Sequence, residues 1–349
     1  MHGEVDTRRS VFSVCSVFVG GFRTPLAPIL DKNTIEFLEN TCIFCQPWWL
    51  QAVSPDSWDI AIARRGEEVA AVLPYAYKMR LGRFRLIEFP FLTFYLGPWL
   101  RQHRGKYANT LGEDKELMKE LIEQLPEFAS FHQWFHPAVT NWLPFYWKGF
   151  RQTTRYTYVI EDTSDPELVW AETRENIRTD IRKARKQVEV IEDTSIDRFL
   201  AQQKATFLRQ HKPLPYPEAT LRVLDAECVK RGLRKILLAV DPEENIHASA
   251  YLVWDKGTVY SLLRGSDPAL RNSGSTSLVV WKAIEFASTQ GKRFDFAGSW
   301  HESIERFVRA FGGKQMPFFE VSKLNSLAVK VYRMLWRWTH HSGWAGGDT

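Results

Sequence analysis

Residues 246–321 constrain the fold more than any other part of the chain, because glycines and turn residues cut them into elements whose order leaves few arrangements open. Two apolar runs, 248–254 and 258–263, are joined by Asp255-Lys256-Gly257, the turn chemistry that a hairpin needs. A polar loop follows Arg264, and a helical pattern opens at Gly274-Ser275-Thr276 with Leu278, Trp281 and Ile284 at helical spacing. Gly291 stands where such a helix ends. Phe294-Asp295-Phe296 reads as a short buried strand. Gly298-Ser299 leads into a second helix with Ile304, Phe307 and Phe311 on one face, and residues 316–321 form a last strand.

The junction Arg271-Asn272-Ser273-Gly274-Ser275-Thr276 carries the first chemical signal. The opening amides of a helix lack intrahelical partners and sit at the positive end of the dipole, so small residues there let backbone N–H groups approach a phosphate. The spacing R-x-x-G-x-T resembles the pyrophosphate loop, Q/R-x-x-G-x-G/A, of GNAT-fold acyltransferases, with Thr276 departing from the last small position. The plain alternative is a capped helix start. The continuation Phe294-Asp295-Phe296-Ala297-Gly298-Ser299, followed by Phe307-Val308-Arg309-Ala310-Phe311-Gly312-Gly313, resembles the C-terminal half of the FemABX-like peptidyltransferases and the related BioF2-like acetyltransferase domain. In that family the second motif reads F-K-x-x-F-G. Val308 stands at the lysine position, which argues against lysine-assisted aminoacyl transfer.

The resemblance implies an α/β (α+β) fold of two tandem GNAT-like halves, each a mixed, mainly antiparallel sheet flanked by helices. The first half echoes the second in element order: strands at 58–63, 69–77 and 85–89, a helix at 115–124, a strand near 128–135 and a strand at 155–160. Gly149-Phe150-Arg151-Gln152 and Gly312-Gly313-Lys314-Gln315 precede the last strand of each. Residues 33–161 are therefore expected to form a first half and residues 162–323 a second, as two related sheets with a cleft between them. Residues 324–349 are expected to form an amphipathic helix and tail. Only the second half has the phosphate-loop pattern, since Gly112-Glu113-Asp114, read as the start of the first-half helix, is acidic. The aromatic run 90–99, which contains Tyr95, either walls the cleft or packs in a tryptophan-rich core.

A chain of 349 residues with 44% apolar and 25% charged residues is globular and long enough for two domains. Residues 11–19 are apolar and follow Arg8-Arg9, so residues 1–32 are either a disordered or upstream-misassigned start or a short secretory signal. Four cysteines make no disulfide framework; Cys42-Ile43-Phe44-Cys45 has redox or half-zinc spacing but lacks a second pair, and two buried thiols are the simpler reading. His132 and His136 share a strand face without a third ligand. No metal is expected, and nothing calls for DNA.

A basic helix is expected to start at Asp165-Pro166, with Ile177, Ile181, Ala184 and Val188 as its apolar stripe. Arg174, Arg178, Arg182 and Lys186 recur on another face, either as a solvated surface or as a site for a phosphate-bearing substrate or RNA. It resembles the arginine-rich helix of the FemABX-like second half. Amine acylation requires a polarised carbonyl, a deprotonated amine and a stabilised leaving group. In GNAT-like enzymes the carbonyl sits where two central strands part, which places the gap between 258–264 and 294–297. By position, Tyr260, Asp295, Ser299, His301 and Glu302 are candidates for proton transfer, with Asp295 equally suited to holding the next loop. Arg178, Arg182, Tyr95 and Arg264 are substrate-binding candidates.

The expected activity is N-acyl transfer from acyl-CoA, such as acetyl-CoA, to an amino group of a cell-envelope polysaccharide, lipid or peptidoglycan precursor. The alternatives are an aminoacyl-tRNA-dependent peptidyltransferase of the FemABX kind and a non-catalytic envelope-assembly protein. With pI near 8.9 and no run of membrane-spanning length, a cytoplasmic protein is expected. Leu327, Val331, Met334, Leu335 and Trp338 make a C-terminal stripe flanked by Lys330, Arg333 and Arg337, fit either to pack on the second half or to lie on an anionic inner-membrane face. A surface role predicts co-sedimentation with anionic but not neutral liposomes, lost on truncation after Lys323. A packing role predicts sedimentation with neither.

Overall fold

The structure, a computed structural model, describes residues 28–330 apart from His103, Arg104, Gln210, Ser299, Trp300 and Ala328. The chain opens with α1 (Lys32–Leu38), capped by Asp31, whose carboxylate accepts the Thr34 N–H at 2.8 Å. A 3-10 turn (Ile43–Cys45) and α2 (Pro47–Val53) follow. Next come β1 (Trp58–Arg65), β2 (Glu68–Arg80), β3 (Phe84–Glu88), β4 (Trp99–Leu100), α3 (Tyr107–Glu123), β5 (Ser130–Trp134), α4 (Leu143–Trp147) and β6 (Arg151–Ile160). Two helices, α5 (Pro166–Glu172) and α6 (Glu175–Ala184), lead to β7 (Glu189–Asp193), α7 (Ile196–Arg209), α8 (Glu218–Arg231), β8 (Arg234–Val240), β9 (Ile246–Trp254) and β10 (Thr258–Ser266). A 3-10 turn (Pro268–Ser273), α9 (Ser275–Thr289), β11 (Arg293–Asp295), α10 (Glu302–Arg309) and β12 (Lys314–Leu324) complete the described fold.

Two local expectations are corrected. Helix α3 begins at Tyr107, well before residue 115, and carries Gly112 inside it. Its buried residues, Leu117, Met118, Leu121 and Ile122, lie in the second half of the helix, so the exposed opening turns leave no apolar period to read. The basic helix is two helices. At the break, buried Thr173 returns its hydroxyl to the Val169 carbonyl at 2.9 Å and the Arg174 N–H bonds to the Ala310 carbonyl at 2.9 Å, so the chain leaves the helix to join the end of α10.

The tandem forms one continuous sheet rather than two, in the order β1-β2-β3-β5-β12-β6-β11-β10-β9-β8-β7, with β4 paired to β2. The cause is an exchange of last strands. Strand β6, which ends the first half, pairs with β11 of the second (Phe294 opposite Ile160), while β12 returns to pair with β5 of the first (Val321 opposite Gln133). Between them β6 and β12 run antiparallel from Lys314 opposite Val159 to Ser322 opposite Arg151. Each half also has one parallel pair, β3 with β5 and β10 with β11, so β12, β5, β3, β2 and β1 on one side of the seam match β6, β11, β10, β9 and β8 on the other, and β7 extends the second side.

Alternation along the strands sorts the core. On one face a single cluster spans both halves, joining α1, α2, α7 and α8 through Trp49, Tyr95, Tyr251, Tyr260 and Phe318. On the other, α5, α6, α9 and α10 cover one cluster in the second half, and α3 and α4 cover another in the first. Phe318 sits at the seam with its ring 5.3 Å from Tyr95 and 6.2 Å from Trp134. Phe318→Ala is expected to cost about 3–5 kcal/mol. Urea unfolding followed by tryptophan fluorescence and by circular dichroism is expected to show one coincident transition in both proteins; separated transitions would mean that the halves fold independently.

Candidate active site

Strands β10 and β11 pair in parallel for only three rungs, Thr258 with Arg293, Val259 with Phe294 and Tyr260 with Asp295, and then part. Beyond Tyr260 the β10 strand stays on β9 across an irregularity between Ser261 and Leu263, which bends it away from β11. On the other side of the gap Ala297 and Gly298 follow with φ of 61° and 72°. A left-handed alanine costs energy that the surroundings must supply, and such residues gather at functional sites.

Asp295 stands on the last shared rung and is buried. Its Oδ1 accepts the Thr157 hydroxyl at 2.6 Å and the Ala297 N–H at 2.7 Å, and its Oδ2 accepts the Tyr95 hydroxyl at 3.1 Å. Burial pushes its carboxyl above the usual range, against the pull of these three donors. The network joins the aromatic run of the first half (Tyr95), β6 (Thr157) and the loop after β11. Asp295 thus holds the edge of the gap, the second of the two roles its sequence position allowed.

Arg264 crosses the gap. Its Nη1 donates to the Phe296 carbonyl at 3.2 Å and to the Ser261 hydroxyl at 3.2 Å, and burial lowers its pKa to about 10 while nearby Asp295 opposes the shift. At that value the guanidinium remains charged at neutral pH. Tyr260 is turned away from this bridge: its hydroxyl donates to Asp255 Oδ2 at 2.9 Å, and burial followed by the Asp255 charge keeps the phenol neutral. Asp255, a turn residue in the sequence reading, also accepts the Ile43 N–H at 3.2 Å and so ties the hairpin to the first half.

The equivalent gap of the first half is filled by its own chain. Strands β3 and β5 pair only at Leu86 with Ser130 and Ile87 with Phe131. Leu96 then enters beside β5, its N–H bonded to the Trp134 carbonyl at 2.8 Å and its carbonyl to the His136 N–H at 3.1 Å. The run 90–99 is a backbone plug for one gap and, through Tyr95, a wall for the other.

The phosphate-loop residues lie at the start of α9. Gly274 caps the helix in the left-handed region with φ 76°, Ser273 and Ser275 are buried with hydroxyls 2.8 Å apart, and Arg271 and Asn272 are exposed. Gly274 also packs on α6. A Cβ there would lie 2.9 Å from the Asp180 carbonyl carbon and 3.1 Å from its Cα, with the carbonyl oxygen closer still. Substituting Gly274 with aspartate, which the sequence would recommend as a clean test of donor binding, therefore forces α6 away. The accessible side of the loop is made by exposed Arg271 and Asn272 and half-buried Thr276.

The remaining candidates are dispersed. Arg178 and Arg182 share the single carboxylate of Glu175, at 2.7 and 2.8 Å, and Arg182 lies over the Trp170 ring, so the stripe keeps a net positive charge while two of its members are held within their own helix. His301 is the exposed N-cap of α10, Glu302 pairs with Arg306, and Ser299 lies outside the described residues. Val308 is buried in the core with Phe311, while Arg309 pairs with Glu305 at 2.7 Å, so no cation takes the place of the family's lysine. His132 bonds to Glu320 at 2.6 Å, and Cys42 and Cys45 are buried with sulfurs 3.7 Å apart.

Residues 171–306 match the acetyltransferase (GNAT) domain family. Among solved structures the chain is similar to FemX, with 12% identity over 88% of this chain and 99% of that one and a TM-score of 0.62. It is also similar to the C-terminal domain of a putative lysylphosphatidylglycerol synthetase from Agrobacterium fabrum, at 16% identity, 86% and 94% coverage and TM-score 0.52. L-PGS from Bacillus licheniformis gives 11%, 87% and 96%, and 0.50. No curated protein matches the sequence. A GNAT domain with its central strands parted defines the class: the protein is an acyltransferase of the GNAT fold. Within that class its fold is similar to that of FemX along nearly the whole of both chains, in keeping with the tandem of two GNAT-like halves expected from the sequence.

The aromatic wall generates a pH prediction. His136 packs against Tyr95 at 5.3 Å and Trp99 at 4.7 Å, and its Nδ1 accepts the Ala138 N–H at 3.1 Å, which a protonated Nδ1 cannot do. Burial, with the Arg293 charge added, lowers its pKa from 6.5 to about 3. Between these values the unfolded chain binds the proton and the folded chain does not, so stability falls as pH drops from 6.5 toward 3. His136→Asn keeps an acceptor for Ala138 and is expected to flatten that part of the profile in urea titrations; an unchanged slope would reject the assignment.

Proposed function

We propose that the protein is an N-acyltransferase that takes its acyl group from acyl-CoA, such as acetyl-CoA, and passes it to an amino group of a cell-envelope precursor. The observation that carries this reading is the parting of β10 from β11 beyond Tyr260, with one buried cation reaching across the gap. In an acyl transfer by direct amine attack, negative charge develops on the donor carbonyl oxygen, and a preorganised donor at low dielectric stabilises it. Arg264 serves as that donor by exchanging the Phe296 carbonyl for the reacting oxygen. Asp295 and its three donors keep the edge of the gap fixed, and the amine loses its proton to solvent. The thioester supplies the activated acyl group, and Arg271, Asn272 and Thr276 hold its phosphates. The plugged gap of the first half leaves the second as the donor half.

A second reading, aminoacyl transfer from a charged tRNA to a lipid or peptide amine or hydroxyl, draws support from the likeness to FemX and to a lysylphosphatidylglycerol synthetase. The apolar Val308, buried where the family carries its lysine, weighs against it. Among the described residues no helix is long and apolar enough to cross a membrane, so contact with a lipid-linked precursor at the inner face would be peripheral.

Titration calorimetry with acetyl-CoA and filter binding with aminoacyl-tRNA separate the two donors. Arg271→Glu is expected to weaken acetyl-CoA binding about tenfold, equivalent to about 1.4 kcal/mol, with an unchanged melting temperature. Arg264→Gln is expected to lower kcat by about 10²-fold or more with acetyl-CoA affinity retained. Tight tRNA binding without acetyl-CoA binding would replace the first reading by the second.

A further inference from the structure

Helix α7 carries two adjacent glutamines on the face it presents to the sheet. Gln203 is 1% exposed and Gln202 8%. Both lie against Gly265, on the part of β10 that has already left β11. A Cβ at Gly265 would stand 2.6 Å from Gln202 Oε1 and 3.1 Å from Ser249 Oγ, and closer still to Gln203 Nε2. Only glycine leaves room for both carboxamides. Gln202 Oε1 accepts the Ser249 hydroxyl, yet Nε2 of Gln202 and Nε2 of Gln203 are buried without an acceptor. Buried amide donors are rarely left unmade, since each loses its water without compensation. Of the two, Gln203 Nε2 stands at Gly265, beside Gln202 Oε1, and this unmade donor marks a place that an oxygen from outside the chain completes.

Neighbouring charges do not supply that oxygen or call for an ionic one. Asp267 is paired with Arg209, the Ser266 carbonyl accepts the Thr206 hydroxyl at 3.2 Å, and Arg264 reaches the opposite way, to Phe296. The site is neutral and offers one unpaired amide donor, Gln203 Nε2, which suits a carbonyl oxygen rather than a phosphate or carboxylate. It also has a side. Helix α9, whose start is the donor loop, packs in the cluster on one face of the sheet, and α7 packs in the cluster on the other.

We infer that Gln202 and Gln203, with Gly265, form the acceptor-recognition site, and that the acceptor carries a neutral amide carbonyl beside its reactive amine. This deepens the proposed function and rests on it, since phosphates on the α9 side leave the α7 side to the amine. The chemistry at the gap then selects amino-acid-amide or peptide-like amines over plain alkylamines, because a buried donor left unpaired by the wrong acceptor penalises its binding.

The test uses the whole protein and two readouts. In Gln203→Met, a near-isosteric change that removes the unpaired amide, the free protein is expected to melt about 2 °C higher. A lower melting temperature would show that the amide already has a structural partner and would overturn the site. In acetyl-CoA turnover the wild type is expected to prefer glycinamide over n-propylamine by about tenfold in kcat/KM. The preference is expected to vanish in Gln203→Met and in Gly265→Ala, whose methyl displaces both carboxamides, with acetyl-CoA affinity unchanged. An equal preference in wild type and variants, or none in the wild type, overturns the inference. Failure of the wild type to bind acetyl-CoA at all rejects the donor reading instead, and the melting comparison then still decides the glutamine pair.

Discussion

Strands in the middle of a sheet must satisfy both edges, and here both central strands do so with a partner from the other half. Strand β6 lies between β12 and β11, and β12 between β5 and β6, so neither half can complete its own sheet. Backbone groups left unpaired inside a protein cost as much as lost hydrogen bonds, which makes the exchange binding on the whole chain. Its consequence is geometric. The parallel pairs β3–β5 and β10–β11 are held at fixed positions either side of one seam, and Thr157 on β6 is thereby delivered to Asp295 on β11. A contact between residues 138 apart in sequence is as local, in this sheet, as a neighbouring rung.

The two gaps made by this symmetry differ in what fills them. In the first half the filler is backbone: Leu96 is bonded through both its N–H and its carbonyl, and residues 90–99 would have to unfold to release it. In the second the filler is the end of one side chain, Arg264, which can turn about its own bonds. A gap closed by a ladder is structure, whereas a gap closed by a guanidinium can admit a ligand that offers the guanidinium a better acceptor. The duplication thus leaves one gap closed by backbone and one closed by a side chain. Tyr95 belongs to the half with the closed ladder and bonds to Asp295 in the other, which brings the aromatic run of the first half to the edge of the second gap.

Much of the second half was legible because its signals are local. The hairpin turn at Asp255-Lys256-Gly257, the helix opening at Gly274 and its stop before Gly291 follow from residues within a few positions of one another. The gap itself was legible through the family resemblance, and Tyr95, Tyr260, Arg264 and Asp295 do gather around it. What escaped depends on distant partners. Nothing in residues 151–160 says that they pair with β11 rather than with a strand of their own half. Thr157 and Asp255 look like ordinary strand and turn residues until the fold brings Tyr95, Asp295 and Ile43 to them. Gln202 and Gln203 look like polar residues of a surface helix, because the sequence does not show which face α7 buries. The break between α5 and α6 is invisible for the same reason, since its cause is the Ala310 carbonyl on a helix that comes much later.

Gly274 shows how one residue type can answer two different demands. A glycine in that position suits close approach of a phosphate, and it also suits close approach of a helix; the second demand is visible here, with the backbone of Asp180 against it. Helix α6 is in turn tied to the end of α10 through the Arg174 N–H and to the loop through Lys183, whose ammonium bonds to the Asn272 carbonyl. The phosphate loop and the end of α10 therefore lean on the same short helix. This places a mechanical demand on α6 that its arginines do not explain: they pair within the helix, while its buried stripe of Ile177, Ile181 and Ala184 fixes its position. A substitution in that stripe would reach the donor loop without touching it, because a loop held by packing transmits displacement through van der Waals contact over short distances.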